Sequence, residues 1–132
     1  MATKKISVME LYSEWDEEYI NAKLYTDSYA NNGRIFIGVL AWDTDCDGWT
    51  PWADLTVNMP RERLSNENCA FVDTNDFHGA MAFIDKYELG KPTGRIACSG
   101  WCFYPEVEFD MEKVNYYCTH FSERNEGREL NK

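Results

Sequence analysis

Asp43, Asp45, Asp47 and Gly48, followed by Asp54, repeat the acid-at-alternate-positions pattern of a calcium loop, with its turn glycine and closing carboxylate. The chemistry implied is coordination of a hard divalent cation by oxygen ligands. Three features weigh against it. The flanking runs RIFIGVLAW and WADLTVN read as strands where a calcium loop has helices, and Asp47-Gly48 is an ordinary hairpin turn signal. Pro51 and Thr50 occupy positions that normally supply a ligand and an apolar packing residue. The closing residue, Asp54, is shorter than the usual bidentate glutamate and alternates with Ala53 and Leu55, so it points to solvent. An acidic hairpin loop is expected, with weak calcium binding as the minor reading.

Cys98 and Cys102, with Cys118 and His120, offer a zinc donor set, but the cysteine spacing is wider than in zinc knuckles and Cys-x-His is an unusual second half. Mostly buried, reduced thiols are expected. Nucleophilic catalysis needs a base beside the nucleophile, and with His78 and His120 as the two histidines no local signature assembles such a set. Acidic residues are so numerous that no carboxylate pair stands out as a glycosidase couple. No catalytic residue and no cofactor is assigned, and the chain reads as a non-enzyme. "LGKPTGR" brings Lys91, Thr93, Gly94 and Arg95 together as a candidate nest for a small anion, although the order is not that of a P-loop and Gly90 with Pro92 also reads as a helix stop. Trp101, Phe103, Tyr104, Trp49 and Trp52 form either a binding rim or part of the core.

Charge bears on partners. The chain holds 23 acidic and 13 basic side chains, a formal net charge of −10. A field of that sign repels phosphate backbones and anionic lipid, so neither direct nucleic-acid binding nor membrane binding is expected. The acids either keep the domain soluble or are displayed to attract a basic protein surface. The candidate partner-binding residues are Asp43, Asp45 and Asp47 with the cluster Glu14, Asp16, Glu17 and Glu18, which taken alone reads as a solvated turn.

The elements that must position these residues follow from periodicity. A chain of 132 residues supports one core, expected over residues 1–121, with a flexible polar tail at 122–132. The first eighteen residues are ambiguous: Ser7 and Glu10 suit a capping box, while Ile6 and Val8 suit a strand. Ile20, Ala22 and Leu24 then alternate with polar residues up to an Asn32-Gly33 turn. The returning run is apolar on both faces, which predicts a strand covered on both sides. WADLTVNM predicts a third strand with Ala53, Leu55, Val57 and Met59 inward and Asp54, Thr56 and Asn58 outward. CAFVD is a short strand. DFHGAMAFIDKYEL is a helix capped by Asn75 or Asp76 and stopped by Gly90 and Pro92. TGRIAC and CFYPEVEF pair, and Asp110 caps a last helix with Phe109 and Val114 as a hydrophobic staple. The prediction is an α+β domain, a mainly antiparallel sheet of about five to six strands with two helices packed on it. No export signal or apolar span is visible, so a cytoplasmic location is expected.

Taken in order, "LYTDSYANNGRIFIGVL", "ADLTVNMP", "CAFVDTND", "LGKPTGR" and "SGWCFYPEVEFD" resemble domain-of-unknown-function family 4313, small acidic proteins of conjugative elements and phages of gut Firmicutes. The resemblance spans about residues 20–115 and departs from the family in the N-terminal segment and in the more acidic Asp43–Asp47 loop. It transfers no catalytic or binding residue. What it implies is an accessory protein of a mobile element, and the expected function is an anti-defence inhibitor of the anti-CRISPR or antirestriction type, binding a host nuclease through an acidic surface. The alternatives are a small-ligand binder sequestering a nucleotide signal or a divalent cation, and a structural subunit of a mobile-element complex. The oligomeric state stays open.

Overall fold

In the computed structural model, which describes residues 9–14 and 17–119, the chain forms two four-stranded antiparallel sheets and two helices. The first sheet is a meander of β1 (Met9–Ser13), β2 (Glu18–Ser28), β3 (Ile35–Asp43) and β4 (Gly48–Asp54). Over the described residues the N-terminal ambiguity resolves to strand: Met9, Leu11 and Ser13 are buried and Glu10, Tyr12 and Glu14 exposed, a period of two. Ser7, half of the alternative capping box, lies outside the described residues. Between β2 and β3 the Asn32-Gly33 turn closes as predicted, with Gly33 N–H donating to Tyr29 O at 2.7 Å.

β3 is covered on both sides, but by different means. Ile37 and Val39 are fully buried in the core. The opposite face is covered by rings from its own sheet: Phe36 packs edge-on against Tyr25 at 5.4 Å and Trp42 against Trp49 at 5.3 Å. Tyr25 lies directly across Gly38, where an added Cβ would meet its ring at 2.3 Å.

The second sheet has the order β5 (Thr56–Val57), β6 (Cys69–Val72), β8 (Cys102–Phe109), β7 (Gly90–Ser99). Here WADLTVNM departs from its predicted course. It is split at Leu55, where the chain leaves the first sheet and enters the second. Leu55 N–H donates to Ile37 O and Leu55 O accepts from Asp73 N–H, both at 2.9 Å, and its side chain is fully buried. Thr56, predicted outward, is therefore buried. A strand that changes sheets turns both faces toward protein, and the hydroxyl is tolerated because it accepts from Ile37 N–H at 3.1 Å and meets Tyr29 Oη at 3.0 Å. This split and the N-terminal strand bring the count to eight.

α1 (Ala80–Lys86) is shorter than predicted. Neither Asn75 nor Asp76 caps it. Residues 73–77 form a separate turn instead, in which Asp73 Oδ1 accepts from Asp76 N–H and Asp73 O from Phe77 N–H. At its other end Glu88, at φ 57°, takes the left-handed conformation, Glu88 N–H reaches Asp85 O and Leu89 N–H reaches Ile84 O. That is a Schellman stop, with Ile84 and Leu89 supplying its buried apolar contact. The predicted stop at Gly90 and Pro92 is thus corrected, because both already belong to β7. Since a non-glycine residue in this conformation costs about 1–2 kcal/mol, Glu88→Gly is expected to raise the thermal midpoint by several degrees, read by differential scanning calorimetry. Loss of the exposed Lys113–Glu88 ion pair at 3.4 Å offsets little of that gain.

α2 (Met111–Thr119) begins as predicted: Asp110 Oδ1 accepts from Glu112 and Lys113 N–H at 3.1 and 3.2 Å, and Phe109 and Val114 are buried. It packs against β2. The core draws side chains from both sheets and both helices. Among the described residues no helix is long and apolar enough to cross a membrane. The predicted tail, 122–132, lies outside the described residues.

Candidate functional site

In a meander, successive turns leave at opposite ends of the sheet, so the β1–β2 and β3–β4 turns emerge at the same end. Two acidic stretches far apart in sequence are thereby brought together. Glu14, Glu17 and Glu18 come from the first turn and Asp43, Asp45 and Asp47 from the second, whereas Asp16 lies outside the described residues. The turns are tight: Glu17 at φ 55° and Asp47 at φ 54° are both left-handed.

Between them lies a cavity of about 290 Å³ walled by Glu18, Ile20, Trp42, Asp43, Asp45 and Trp52. Past Trp52 a wider groove of about 580 Å³ continues along Glu10, Glu14, Tyr12 and Tyr19 to His78. Tyr12 and Tyr19 stack edge-on at 5.2 Å, and Trp52 is 40% exposed. The surface thus carries aromatic rings with a mainly acidic rim, in which Lys86 is a cation of the protein's own. Such rings and rim suit a cationic side chain with an aliphatic stem, which can lie along the rings and place its charge among the acids. Trp49 and Trp52, left between rim and core by the sequence, divide: Trp49 holds Trp42 and carries Lys23 Nζ 5.0 Å above its ring, while Trp52 lines the groove.

The calcium pattern is used differently. Asp43 Oδ1 accepts from Asp45 N–H at 2.9 Å and Oδ2 from the Cys46 thiol at 3.5 Å, so this carboxylate shapes the turn. That contact and the charge of Asp43 push the exposed Cys46 thiol up. Asp54 pairs with Gly38, at the other end of β4 from the loop. Among the described residues no group of three or more His, Cys, Asp or Glu side chains is gathered to hold a metal ion.

The cysteines do not converge. Cys98 pairs with Phe103 and Cys102 with Ser99, which places the two thiols on opposite faces of the β7–β8 ribbon. Cys118, on α2, has its thiol pushed up by burial, with Lys23 and Thr26 beside it, and His120 lies outside the described residues. The expectation of mostly buried thiols is corrected: Cys69 is buried, Cys102 and Cys118 are half-buried, and Cys46 and Cys98 are exposed. Turn and ribbon positions outweigh the intrinsic preference of the thiol for the interior. His78 is exposed, as expected of a solvated histidine.

At "LGKPTGR" an anion is present, and it is the protein's own. Glu106, fully buried on β8, accepts from Thr93 Oγ1 at 2.6 Å, from Ser65 Oγ at 2.7 Å and N–H at 2.8 Å, and from Arg95 Nη1 at 3.0 Å. Burial pushes its carboxyl up, but the Thr93 and Ser65 hydrogen bonds and the Arg95 charge outweigh that and hold it below the ordinary glutamate value. Arg95 also donates to Arg63 O, which ties the 59–68 segment to the sheet. Gly94 sits between these donors at φ 96°, and Lys91 lies apart, in a groove with Glu108 and Lys113. Sequence reasoning missed Glu106. Its one trace is an acid inside the strand run CFYPEVEF, alongside the Lys91 and Arg95 segment.

Trp101 and Phe103 stand outward on the β7–β8 ribbon, 96% and 62% exposed, while Tyr104 is half-buried. A family profile described as a domain of unknown function, DUF4313, matches residues 23–127. The chain belongs to the DUF4313 family. No curated protein and no solved structure matches it. The DUF4313 match begins inside β2, so it takes in the Asp43–Asp47 turn and the Glu106 cluster, whereas β1 and the Glu14–Glu18 turn precede it. One half of the acidic rim is thus within the DUF4313 region and the other half is contributed by the segment before it.

Proposed function

We propose that this DUF4313 protein is a non-enzymatic inhibitor that occupies a basic, nucleic-acid-binding surface of a host nuclease, as an anti-defence accessory protein of a phage or conjugative element acting in the cytoplasm. The observation that carries the reading is the meeting of two acidic turns around Trp42 and Trp52 at one end of the first sheet. A nuclease channel presents Lys and Arg side chains spaced for phosphates, and a rim of carboxylates over aromatic rings competes for those same side chains. The ligand-binding alternative has less support, because Thr93 and Arg95 are engaged by Glu106.

The test is displacement of fluorescent DNA from a panel of purified restriction and CRISPR nucleases. At low ionic strength the protein is expected to release DNA from its target, with the effect fading as salt rises. The triple variant Glu14→Lys, Glu18→Lys, Asp45→Lys alters three exposed residues and is expected to weaken binding about tenfold or more through loss of steering and complementarity. Equal potency of this variant, or DNA retention by every nuclease, would overturn the reading.

A further inference from the structure

β7 is an edge strand, and its two halves are protected unequally. The first half is blunted in the usual ways, by Lys91, Pro92, Arg95 and a register shift between Pro92 and Ile96. The second half, Ile96–Ser99, has no proline, charge or bulge. Ser99 and Cys102 close a two-residue hairpin turn with Gly100 at φ 60°, the left-handed first position of a type II′ turn. The closing pair exchanges its hydrogen bonds, so by alternation Ser99 and Ala97 turn their backbone groups to β8, and Cys98 and Ile96 turn theirs to the open edge. On the outward face of the ribbon Ile96 is 61% and Phe103 62% exposed, Cys98 is exposed, and Trp101 at the tip is 96% exposed.

We propose that this edge pairs with the same edge of a second copy of the chain, antiparallel, about a two-fold axis at Ala97. A two-fold axis perpendicular to a sheet preserves its faces, so the pairing must centre on a residue. Centring on Ala97 sets Ile96 of one copy opposite Cys98 of the other, the two positions whose backbone groups face outward. With Phe103 beside Cys98 and Pro105 beside Ile96 in each ribbon, the result is two symmetric rows, each running Phe103, Cys98, then Ile96 and Pro105 of the other copy. The edge is self-complementary in hydrogen bonding and in apolar side chains.

Charge favours the same occupant. Residues 95–105 contain no acid in a chain of net charge −10, so the segments that pair bring no carboxylates of their own against each other. Across the seam Ile96 of one copy meets Cys98 of the other, while Phe103 lies one strand behind and Trp101 at the tip, so the buried area is small. A contact of that size belongs at the weak, concentration-dependent end of interfaces.

The test is sedimentation equilibrium of the full chain over a wide concentration range, at low and high salt. The wild type is expected to pass from monomer to dimer, and added salt to strengthen the dimer by screening the like charges of the two copies. Ile96→Lys, a change at an exposed side chain, is expected to raise the dissociation constant at least tenfold while the circular dichroism spectrum of the dilute protein stays unchanged. A wild type that remains monomeric throughout, or a dimer untouched by Ile96→Lys, overturns the proposal. Salt acts in opposite directions on this dimer and on the proposed nuclease contact, so failure of one is distinguishable from failure of the other.

Discussion

Replacing Glu106 by alanine is expected to lower the unfolding free energy by about 3 kcal/mol, because a fully buried side chain is lost together with the charge-assisted hydrogen bonds it accepts. Ser65 N–H, Ser65 Oγ and Thr93 Oγ1 all converge on this carboxylate. Arg95, whose side chain is 42% exposed, regains water and adds little to the loss. Glu106→Gln keeps the shape and part of the hydrogen bonding, and is expected to cost about half as much, consistent with the extra strength of charge-assisted bonds. Urea denaturation of the three proteins reads both values.

The pH dependence separates charge from shape. A carboxyl held below the ordinary glutamate value of 4.5 stabilises the fold at neutral pH, and that contribution fades as pH falls from about 4.5 through the lowered native value. Wild type and Glu106→Gln are therefore expected to differ at neutral pH and to converge in acid. Parallel curves would show that the carboxylate charge carries none of the stability. Because Glu106 belongs to the second sheet, Glu106→Ala is expected to leave the acidic end of the first sheet in place at temperatures where the variant is folded.

Gly90→Ala is expected to cost about 2–3 kcal/mol, toward the upper end for overpacking. An added Cβ would stand 2.5 Å from Glu108 O, 2.8 Å from Val107 Cγ1 and 2.9 Å from Phe109 Cα. Two of these three atoms are backbone of the paired strand and cannot swing aside. Gly38→Ala is the informative contrast, since there the obstruction is the ring of Tyr25, which can rotate away. Denaturation midpoints in which Gly38→Ala proved the more damaging would contradict this account of what each glycine admits.

Much of the local structure was legible in the sequence. The alternation of Ala22 and Leu24, the Asn32-Gly33 turn, the Asp110 cap and the Phe109–Val114 staple are each encoded within a few residues, by side-chain period, turn chemistry or a short side-chain reach to the backbone. The same holds for the Asp43–Asp47 hairpin, whose Asx turn needs nothing beyond itself. Net charge, the α+β class and the DUF4313 resemblance are likewise properties of the chain read as a string.

Tertiary structure decided what joins distant segments. Alternation alone sends Thr56 outward, yet the change of sheet at Leu55 buries it, because the sheet a strand enters is set by long-range pairing with Ile37 and Asp73. The Schellman stop at Glu88 overrode the stronger local signal at Gly90, since close packing of β7 on β8 required that glycine in the sheet. Glu106 found its donors on β7 and at Ser65, 13 and 41 residues away, where no spacing rule reaches. The two acidic turns became one surface only when the meander returned them to the same end of the sheet. Sequence determined which residues carry charge and which turn. Burial and strand order, which weigh the whole chain at once, determined which of them meet.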